Sequence, residues 1–307
     1  MKILFMGTPD FAVPSLDALV QAGHELCGVF TQPDKPKNRG MKLQAPPVKE
    51  YAVAHNIPVY QPETVKDGTA LGIIRSLEPE LIAVAAYGRI LPVDILDYPQ
   101  YGCINVHSSL LPKYRGSAPI HWAILNGEKE SGVTIMHMAK AMDAGDIITQ
   151  AVTPIDPDET VETLHDRLAV LGAKCLVDVV EQIKAGTATR TPQDESKVTF
   201  APMLSRELSP LDWTKSARQL HDQVRGLIPW PATTTQLPNG ETVKVFSTQL
   251  TGQTTAAAPG TILAADKQGI DIACGDGQVL RIRQLQAQGG KRMDAADYLR
   301  GHPISVN

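Results

Sequence analysis

Three polar side chains in the first half of the sequence could do chemistry together: Asn105, His107 and Asp143. Asn105 and His107 lie two residues apart in the strand-like run CINVH, so their side chains point to one side while Val106 points to the other. Asp143 opens an Asp-Ala-Gly-Asp stretch, and a carboxylate there could orient the imidazole of His107. An amide, an imidazole and a carboxylate suit direct acyl transfer, in which Asn105 and His107 stabilise the oxyanion. Taken alone, a structural histidine and an ordinary turn explain the same residues.

The turn that follows His107 reads SSLLPKYRGSAP and could bind a flat polar ligand. Pro112 restricts the chain, and such a turn leaves backbone N–H and C=O groups for a ligand. Lys113 and Arg115 add cations at its rim. Ser108 and Ser109 lack the G-x-S-x-G frame of a nucleophilic serine, so the predicted transfer does not acylate the enzyme. A solvated loop of ordinary charge is the alternative interpretation.

Short apolar runs alternate with helical patterns through the first half, which predicts a parallel sheet with crossover helices. The strand candidates are KILFMG, LCGVF, PVYQP, LIAVAAY and CINVH, and a long amphipathic pattern predicts a helix that ends at Gly186. Because CINVH stops within a residue or two of His107, we expect the pair near the carboxyl end of its strand, where open α/β sheets bind ligands. The predicted fold is α/β, with an N-terminal Rossmann-like, mostly parallel sheet and helices on both of its faces.

The second half of the sequence has a different character. Residues 190–208 are polar and interrupted by prolines, which indicates a linker. A helix at about 214–226 and then short strands with turn signals such as Asn239-Gly240 are predicted after it. The expected organisation is a catalytic domain at 1–189, a linker at 190–208 and a small C-terminal β-barrel domain at 209–307.

Composition limits the class of protein. The chain has 307 residues, of which 43% are hydrophobic and 20% charged, with a net charge of −4, and these values are those of a globular protein. No apolar run reaches the ~20 residues of a membrane helix, and the first strand breaks at Gly7, which argues against a signal peptide. The four cysteines show no zinc-ligand spacing. We therefore expect a cytoplasmic protein with no membrane contact and no metal, and nothing requires more than a monomer.

These motifs resemble those of the formyltransferase family that uses 10-formyltetrahydrofolate, and within it the branch that acts on methionyl initiator tRNA. The family pattern N-x-H followed by S-L-L-P-x-x-R-G matches Asn105, His107 and residues 109–116, with Ser108 where a common form has Gly. The later D-x-G-D pattern matches residues 143–146. The stretches FMGTPDFAVPSL, TQPDKPKNRGMKLQAPPVK, AAYGRILP and LDWTKSA are also similar, so the likeness covers nearly the whole chain.

The resemblance implies a function and a set of site residues. The trio Asn105, His107 and Asp143 would move a formyl group from 10-formyltetrahydrofolate to the free amino group of methionyl initiator tRNA. The turn at 109–112 would lie against the folate, and the stretch AYGRIL would form a wall of the pterin pocket. The residues implied to bind the folate are Ser109, Leu110, Leu111, Pro112, Tyr87, Ile90 and Leu91. The C-terminal barrel would be of the oligonucleotide-binding (OB) type.

Two groups of cations could contact the tRNA. The segment 31–50 is long for a loop inside a compact domain, and the resemblance implies an inserted loop that orders on the tRNA acceptor end, with its cations on phosphates. In the C-terminal domain, the alternating run LRIRQL would put two arginines on one face. The predicted tRNA-binding residues are Lys35, Lys37, Arg39, Lys42, Arg281 and Arg283. A solvated surface loop and an ordinary sheet face are the alternatives.

Other functions share parts of this pattern. The same chemistry could serve a glycinamide ribonucleotide, but that enzyme should carry a Gly/Ser-rich phosphate loop where this chain has MGTPDF. An amino-sugar nucleotide is a closer alternative, and the basic loop and the domain that begins with LDWTKSA favour tRNA over it. A binding protein without chemistry has no need of the intact trio. A dinucleotide oxidoreductase should show the G-x-G-x-x-G that the first turn lacks.

Overall fold

A computed structural model of the chain describes residues 1–37 and 42–306, apart from the side chains of Lys37 and Lys42. The described residues group by their contacts into two units. The first is formed by residues from Met1–Pro119, Glu130–Pro154 and His165–Ala201, and the second by residues from Ile120–Lys129, Ile155–Leu164 and Pro202–Asn307.

The first unit holds most of the strands and helices of the chain's first two thirds. In chain order these are β1 (Lys2–Gly7), α1 (Val13–Gln21), β2 (Glu25–Phe30), β3 (Lys35–Lys37), β4 (Lys42–Gln44), α2 (Pro47–Ala54), β5 (Val59–Tyr60), α3 (Thr69–Leu77), β6 (Leu81–Ala85), α4 (Val93–Leu96), β7 (Cys103–His107), β8 (Arg115–Gly116), α5 (Pro119–Leu125), β9 (Glu130–His137), β10 (Ile147–Pro154), α6 (Val161–Ala185) and β11 (Phe200–Ala201). Short 3-10 helices lie at Asp10–Ala12 and Glu195–Lys197. Most of α5 and the first turn of α6 group with the second unit.

Seven strands of the first unit form one sheet in the order β10-β9-β7-β6-β1-β2-β5. Five neighbouring strands of this sheet are parallel to one another: β7, β6, β1, β2 and β5. Strand β9 is antiparallel to both β7 and β10. The chain moves outward from β1 to β5 and then returns to the other side of β1 at β6. The carboxyl ends of β1 and β6 therefore flank the point at which strand order reverses, where doubly wound sheets bind ligands.

Helices cover both faces of this sheet, as predicted. Leu4 of β1 and Cys103 of β7 belong to a buried apolar cluster with residues of α3 and α4. Val106 has the opposite parity on β7, and its Cγ1 lies 2.7 Å from where a Cβ would be on Gly172 of α6. Only a glycine lets α6 approach β7 this closely. The α/β, Rossmann-like, mostly parallel fold of the first domain is thus confirmed.

The second unit is built on an antiparallel sheet. Its elements are a 3-10 helix (Arg206–Leu208), α7 (Ala217–Gly226), β12 (Thr233–Gln236), β13 (Thr242–Thr254), β14 (Ile262–Asp266), β15 (Gly269–Ala273), β16 (Gln278–Gln286), β17 (Met293–Asp294) and α8 (Ala295–Gly301). The strand order is β12-β13-β16-β15-β14, and β17 pairs with β16. The start of α7 is fixed by a capping box, in which the Ser216 side chain accepts from the Gln219 backbone and the Gln219 side chain accepts from the Ser216 backbone. The predicted β-rich C-terminal domain is confirmed as an antiparallel sheet.

The stretch expected to be a linker, 190–208, is divided between the two units at Ala201. Thr191 forms an isolated antiparallel bridge with Ile147. Farther along, β11 pairs in parallel with β8. The first twelve residues of the expected linker, 190–201, are therefore an ordered segment of the first unit.

Among the described residues, the structure has no helix with the length and apolar character needed to cross a membrane.

Lowering the pH is expected to destabilise the fold through a buried histidine. Burial lowers the pKa of His221 below its ordinary value, although Asp158 acts in the opposite direction. The unfolded chain then binds more protons than the folded chain below about pH 6.5, so this stabilising contribution is present above that pH and is lost as the pH falls. We expect the urea midpoint of unfolding to drop between about pH 7.5 and 5.5, and to drop less in His221→Gln.

The exposed His55 provides the matched control, because His55→Gln should keep the wild-type pH dependence. Equal pH dependence in wild type and His221→Gln would contradict the prediction.

Candidate active site

Strand β7 presents Asn105 and His107 on one side of the sheet. It lies between β6, to which it is parallel, and β9, to which it is antiparallel. His107 is the last residue of the strand and is buried, whereas Asn105 is half-buried. Within the described residues, the Asn105 side-chain amide has no hydrogen-bond partner. Its donors and acceptor are therefore available to a ligand.

Asp143 lies beside His107, on the loop between β9 and β10. Its Oδ1 is 3.8 Å from Nδ1 of His107, and its Oδ2 accepts a hydrogen bond of 2.8 Å from the backbone N–H of Gly116. The side chains of His107 and Asp143 are 7% and 13% exposed, so water screens their interaction little. The structure thus brings together a carboxylate and an imidazole that are 36 residues apart in sequence (143 minus 107).

The imidazole of His107 has an oxygen acceptor near each ring nitrogen. Nε2 is 3.0 Å from the backbone carbonyl oxygen of Tyr114. A carbonyl only accepts hydrogen bonds, so we assign a hydrogen to Nε2 from this contact. Nδ1 then faces the carboxylate of Asp143, which fixes the orientation of the ring from both sides.

The Ser109–Pro112 turn is held by side chains of β9 and β10. The hydroxyl of Thr134 donates to the Ser109 carbonyl at 2.7 Å and accepts from the Leu111 N–H at 3.1 Å. Gln150 donates to the Leu111 carbonyl at 2.8 Å. These backbone groups are consequently occupied within the protein, although the sequence led us to expect them to be free for a ligand. Hydrogen bonds within the protein thus hold the turn in this conformation.

The loop after β6 contains the other residues implied to bind the folate. The Tyr87 carbonyl accepts hydrogen bonds of 3.1 Å from both the Thr8 hydroxyl and the Gln32 amide. The side chains of Tyr87 and Leu91 belong to the buried cluster of the first unit. Ile90, by contrast, is 61% exposed. Of these three residues, Ile90 is the one whose side chain is accessible to a ligand, while Tyr87 and Leu91 position the loop backbone.

Burial also affects the Tyr87 hydroxyl. It raises the pKa of that hydroxyl, and the positive charge of Arg89 offsets part of the shift. The hydroxyl is therefore protonated at neutral pH.

The basic segment, residues 31–50, contains the antiparallel strand pair β3 and β4, in which Lys35 pairs with Gln44. Lys35 is exposed, and its Nζ donates to the side chain of Gln32 at 2.9 Å. Lys49, at the far end, is occupied by an ion pair of 2.8 Å with Asp34. Arg39 and the side chains of Lys37 and Lys42 lie outside the described residues.

The two candidate arginines of the second unit differ in their partners. Arg281 forms a two-pronged ion pair with the buried carboxylate of Asp271, at 2.6 and 2.8 Å. The hydrogen bond with Asp271 raises the pKa of Arg281. Arg283 is exposed and donates to the backbone carbonyl of Gln268 at 2.8 Å. Arg283 is therefore freer to meet a phosphate than Arg281.

Several residues that shape this site carried no recognisable signal in the sequence. These are Thr134 and Gln150, which hold the turn, Tyr114, whose carbonyl contacts His107, and Gln193, which contacts the Asp143 loop. Each acts across a strand pairing or a loop contact that only the folded chain creates. Arg115 was noted as a rim cation, but its guanidinium is buried.

A doubly wound sheet that ends in an amide, an imidazole and a carboxylate defines an α/β enzyme suited to direct group transfer. A family model described as formyl transferase matches residues 1–180, and one described as formyl transferase, C-terminal domain, matches residues 203–303. The chain therefore belongs to the formyl transferase family.

Relatives within the family match almost the entire chain. Methionyl-tRNA formyltransferase of Bacillus subtilis is 48% identical over 305 residues, which cover 99% of this chain and 96% of that protein. The protein of the same name from Moorella thermoacetica is 49% identical over 304 residues, which cover 99% of this chain and 97% of that protein.

Solved structures with much lower identity share the fold. HypX from Aquifex aeolicus, in complex with tetrahydrofolic acid, has a TM-score of 0.68 at 18% identity over 100% of this chain and 48% of its own. This chain thus spans about half the length of HypX. An N-formyltransferase from Helicobacter canadensis, in complex with folinic acid and dTDP-3-aminofucose, has a TM-score of 0.68 at 20% identity, over 92% of this chain and 98% of its own. At these identities the likeness shows the fold alone.

Proposed function

We propose that this chain transfers the formyl group of 10-formyltetrahydrofolate to the free amino group of methionyl initiator tRNA, which gives N-formylmethionyl-tRNA for translation initiation. The observation that carries this proposal is its 48% identity, over 99% of the chain, to relatives named methionyl-tRNA formyltransferase. An amino-sugar nucleotide acceptor has less support, because the solved sugar N-formyltransferases are 18–20% identical to this chain.

The two domains divide the task. The domain at 1–189 carries the trio and binds the formyl donor between the Ser109–Pro112 turn and the loop that contains Tyr87, Ile90 and Leu91. Residues 209–307 form the OB-like domain that grips the tRNA, with Arg283 a better phosphate contact than Arg281. Lys35, Lys37, Arg39 and Lys42 contact the acceptor end. The acceptor is a charged tRNA, so the enzyme works in the cytoplasm, and we propose that it does so as a monomer.

The attacking nitrogen needs little activation. An ester group withdraws electrons from the neighbouring amine, so the amino group of an aminoacyl ester is largely free base near neutral pH. Its lone pair attacks the formyl carbon, and the carbonyl oxygen becomes an oxyanion. The Asn105 amide, which has no partner among the described residues, donates to that oxyanion. The Nε2–H of His107 leaves the Tyr114 carbonyl and donates to the same oxyanion.

The intermediate collapses when the bond between the formyl carbon and the folate nitrogen breaks. The attacking nitrogen must lose a proton and the leaving folate nitrogen must gain one. Asp143 sustains positive charge on His107 through the 3.8 Å contact at Nδ1, and the pair relays the proton from one nitrogen to the other. No acyl-enzyme forms, and the products are the formylated amine and tetrahydrofolate.

Formylation of three acceptors in parallel tests the proposed function. The purified chain is given 10-formyltetrahydrofolate with methionyl initiator tRNA, with the same tRNA uncharged, or with an amino-sugar nucleotide. We expect transfer to the charged tRNA only, because the uncharged tRNA lacks the amino group of the methionyl ester. Transfer to the sugar alone would keep the trio but reject the tRNA assignment, and transfer to none would reject the proposed activity.

A further inference from the structure

The Asp143 loop has a backbone conformation that must be held from outside. Asp143 has a φ of +54°, in the left-handed region that glycine enters readily and aspartate only occasionally. Two residues later, a Cβ on Gly145 would lie 1.7 Å from the His137 carbonyl oxygen, so the loop backbone lies directly on the end of β9. Contacts from elsewhere in the unit must stabilise this arrangement.

One side-chain amide supplies such contacts. The Nε2 group of Gln193 donates to the carbonyl oxygens of both Asp143 and Gly145, each at 2.8 Å. Two hydrogens on one nitrogen thus bind the two carbonyls that flank Ala144. Gln193 belongs to the ordered segment that follows α6, fifty residues after the loop (193 minus 143).

Arg115 determines which way this amide faces. Its Nε and Nη2 donate to Oε1 of Gln193 at 3.1 and 2.8 Å. A guanidinium has only donors, so the amide oxygen must face it and the amide nitrogen must face the loop. Arg115 is buried and is held in turn by Glu195, at 2.7 Å from its Nη2.

The contacts form a closed ring around Asp143. The residue after Arg115 is Gly116, whose N–H binds Oδ2 of Asp143 at 2.8 Å. The backbone at Arg115 and Gly116 therefore holds the Asp143 carboxylate, while the Arg115 side chain, through Gln193, holds the Asp143 carbonyl. Both ends of the residue are fixed against the same short strand, β8.

We propose that Gln193, oriented by Arg115, is a positioning residue that sets the Asp143 carboxylate relative to His107. The inference rests on the proposed function, in which Asp143 acts on His107. The gap of 3.8 Å from Oδ1 to Nδ1 is slightly longer than a hydrogen bond, so a small shift of the loop either closes the contact or loses it. Gln193 forms no hydrogen bond with the trio's side chains in the described part of the chain, and its effect passes through the loop backbone.

The test is Gln193→Glu, a change that keeps the shape of the side chain. An ionised Glu keeps its contact with Arg115 but turns an acceptor toward the two carbonyls, which then repel it. We expect kcat to fall about 10- to 100-fold, since misplacing a catalytic group by about 1 Å has that effect. The KM for 10-formyltetrahydrofolate should stay within about twofold, because the donor turn is held by other residues. Gln100→Glu on an exposed turn is the matched control and should leave both constants unchanged.

A second substitution shows whether Gln193 acts through Asp143. In single-turnover assays, Gln193→Glu should have no further effect when it is added to Asp143→Asn, because the carboxylate it positions is already gone. Gln193→Met removes the donors without adding a charge and serves as the test variant if Gln193→Glu does not fold. Thermal unfolding and folate binding on the same samples establish folding.

The possible results separate this inference from the proposed function. A folded Gln193 variant with wild-type kcat would overturn the positioning role while leaving the trio intact. The same conclusion would follow if Gln193→Glu lowered the rate by the same factor in Asp143→Asn as in wild type. Wild-type turnover in Asp143→Asn would overturn the proposed mechanism itself. The inference is supported if Gln193→Glu lowers kcat in the wild-type protein and lowers it no further in Asp143→Asn.

Discussion

Replacing Asp143 by Asn is expected to lower formyl transfer by about 10³-fold, near the middle of the range for losing a group that assists proton transfer. Asn has the same size, and its oxygen can still accept from the Gly116 N–H that now binds Oδ2. The loop should therefore stay in place. The side chain has no charge to offer His107, so imidazolium formation and proton relay are lost. Initial rates at saturating methionyl initiator tRNA measure the effect.

His107→Ala removes the partner of Asp143 and should have an effect of similar size. Filter binding of tRNA to both variants should give affinities within about twofold of wild type, because neither side chain carries a charge that meets phosphates. The exposed His55 supplies the control, since His55→Ala should retain full activity. Full turnover in Asp143→Asn or His107→Ala would show that the reaction proceeds without this pair.

Reversing the charges of Lys35, Lys37 and Arg39 is expected to weaken tRNA use strongly and to spare folate binding. Plotted against log salt concentration, log affinity falls with a slope of about one unit for each neutralised phosphate. Losing three phosphate contacts should therefore make this slope less steep by about 3 units. At physiological salt we expect kcat/KM for tRNA to fall about 10²- to 10³-fold. Arg39 should contribute most, because its planar fork binds phosphate at two points. Filter binding over a range of salt concentrations gives the slope.

Three exposed lysines elsewhere on the first unit provide a control with the same change of net charge: Lys66, Lys174 and Lys184. Reversing them separates local contact from the overall charge of the protein. If both triple variants lose tRNA affinity equally, the basic segment has no special role. If neither affinity nor salt slope changes in the loop variant, the loop assignment is wrong.

Much of the first domain could be predicted from the sequence, for a physical reason. Buried parallel strands tend to be apolar on both faces, so the runs KILFMG and LIAVA stand out against their polar surroundings and correspond to β1 and β6. The helix predicted to end at Gly186 does so, since α6 stops at Ala185 and Gly186 has a φ of +70°. Periodicity and chain punctuation are local properties, and local properties can be read from one sequence.

The partners of the site residues could not be read in the same way. Alternation along β16 puts Arg281 and Arg283 on one face, but the pairing of Arg281 with Asp271 depends on the register with β15. The contact between Gln193 and the Asp143 loop depends on where the chain returns after a helix of 25 residues. Long-range register and chain return are properties of the folded molecule.

The pairing of β8 with β11 determines where this protein can be cut for domain exchange. A chimera joined at residue 189 would give the first domain a foreign segment in place of Thr199, which binds the backbone of Tyr114 and Arg115 at 2.9 Å each. It would also replace Ala201, whose carbonyl accepts from the Ala118 N–H at 3.2 Å. A junction placed after Ala201 keeps these native contacts with the β8 region. The junction thus lies twelve residues after the start of the expected linker at 190.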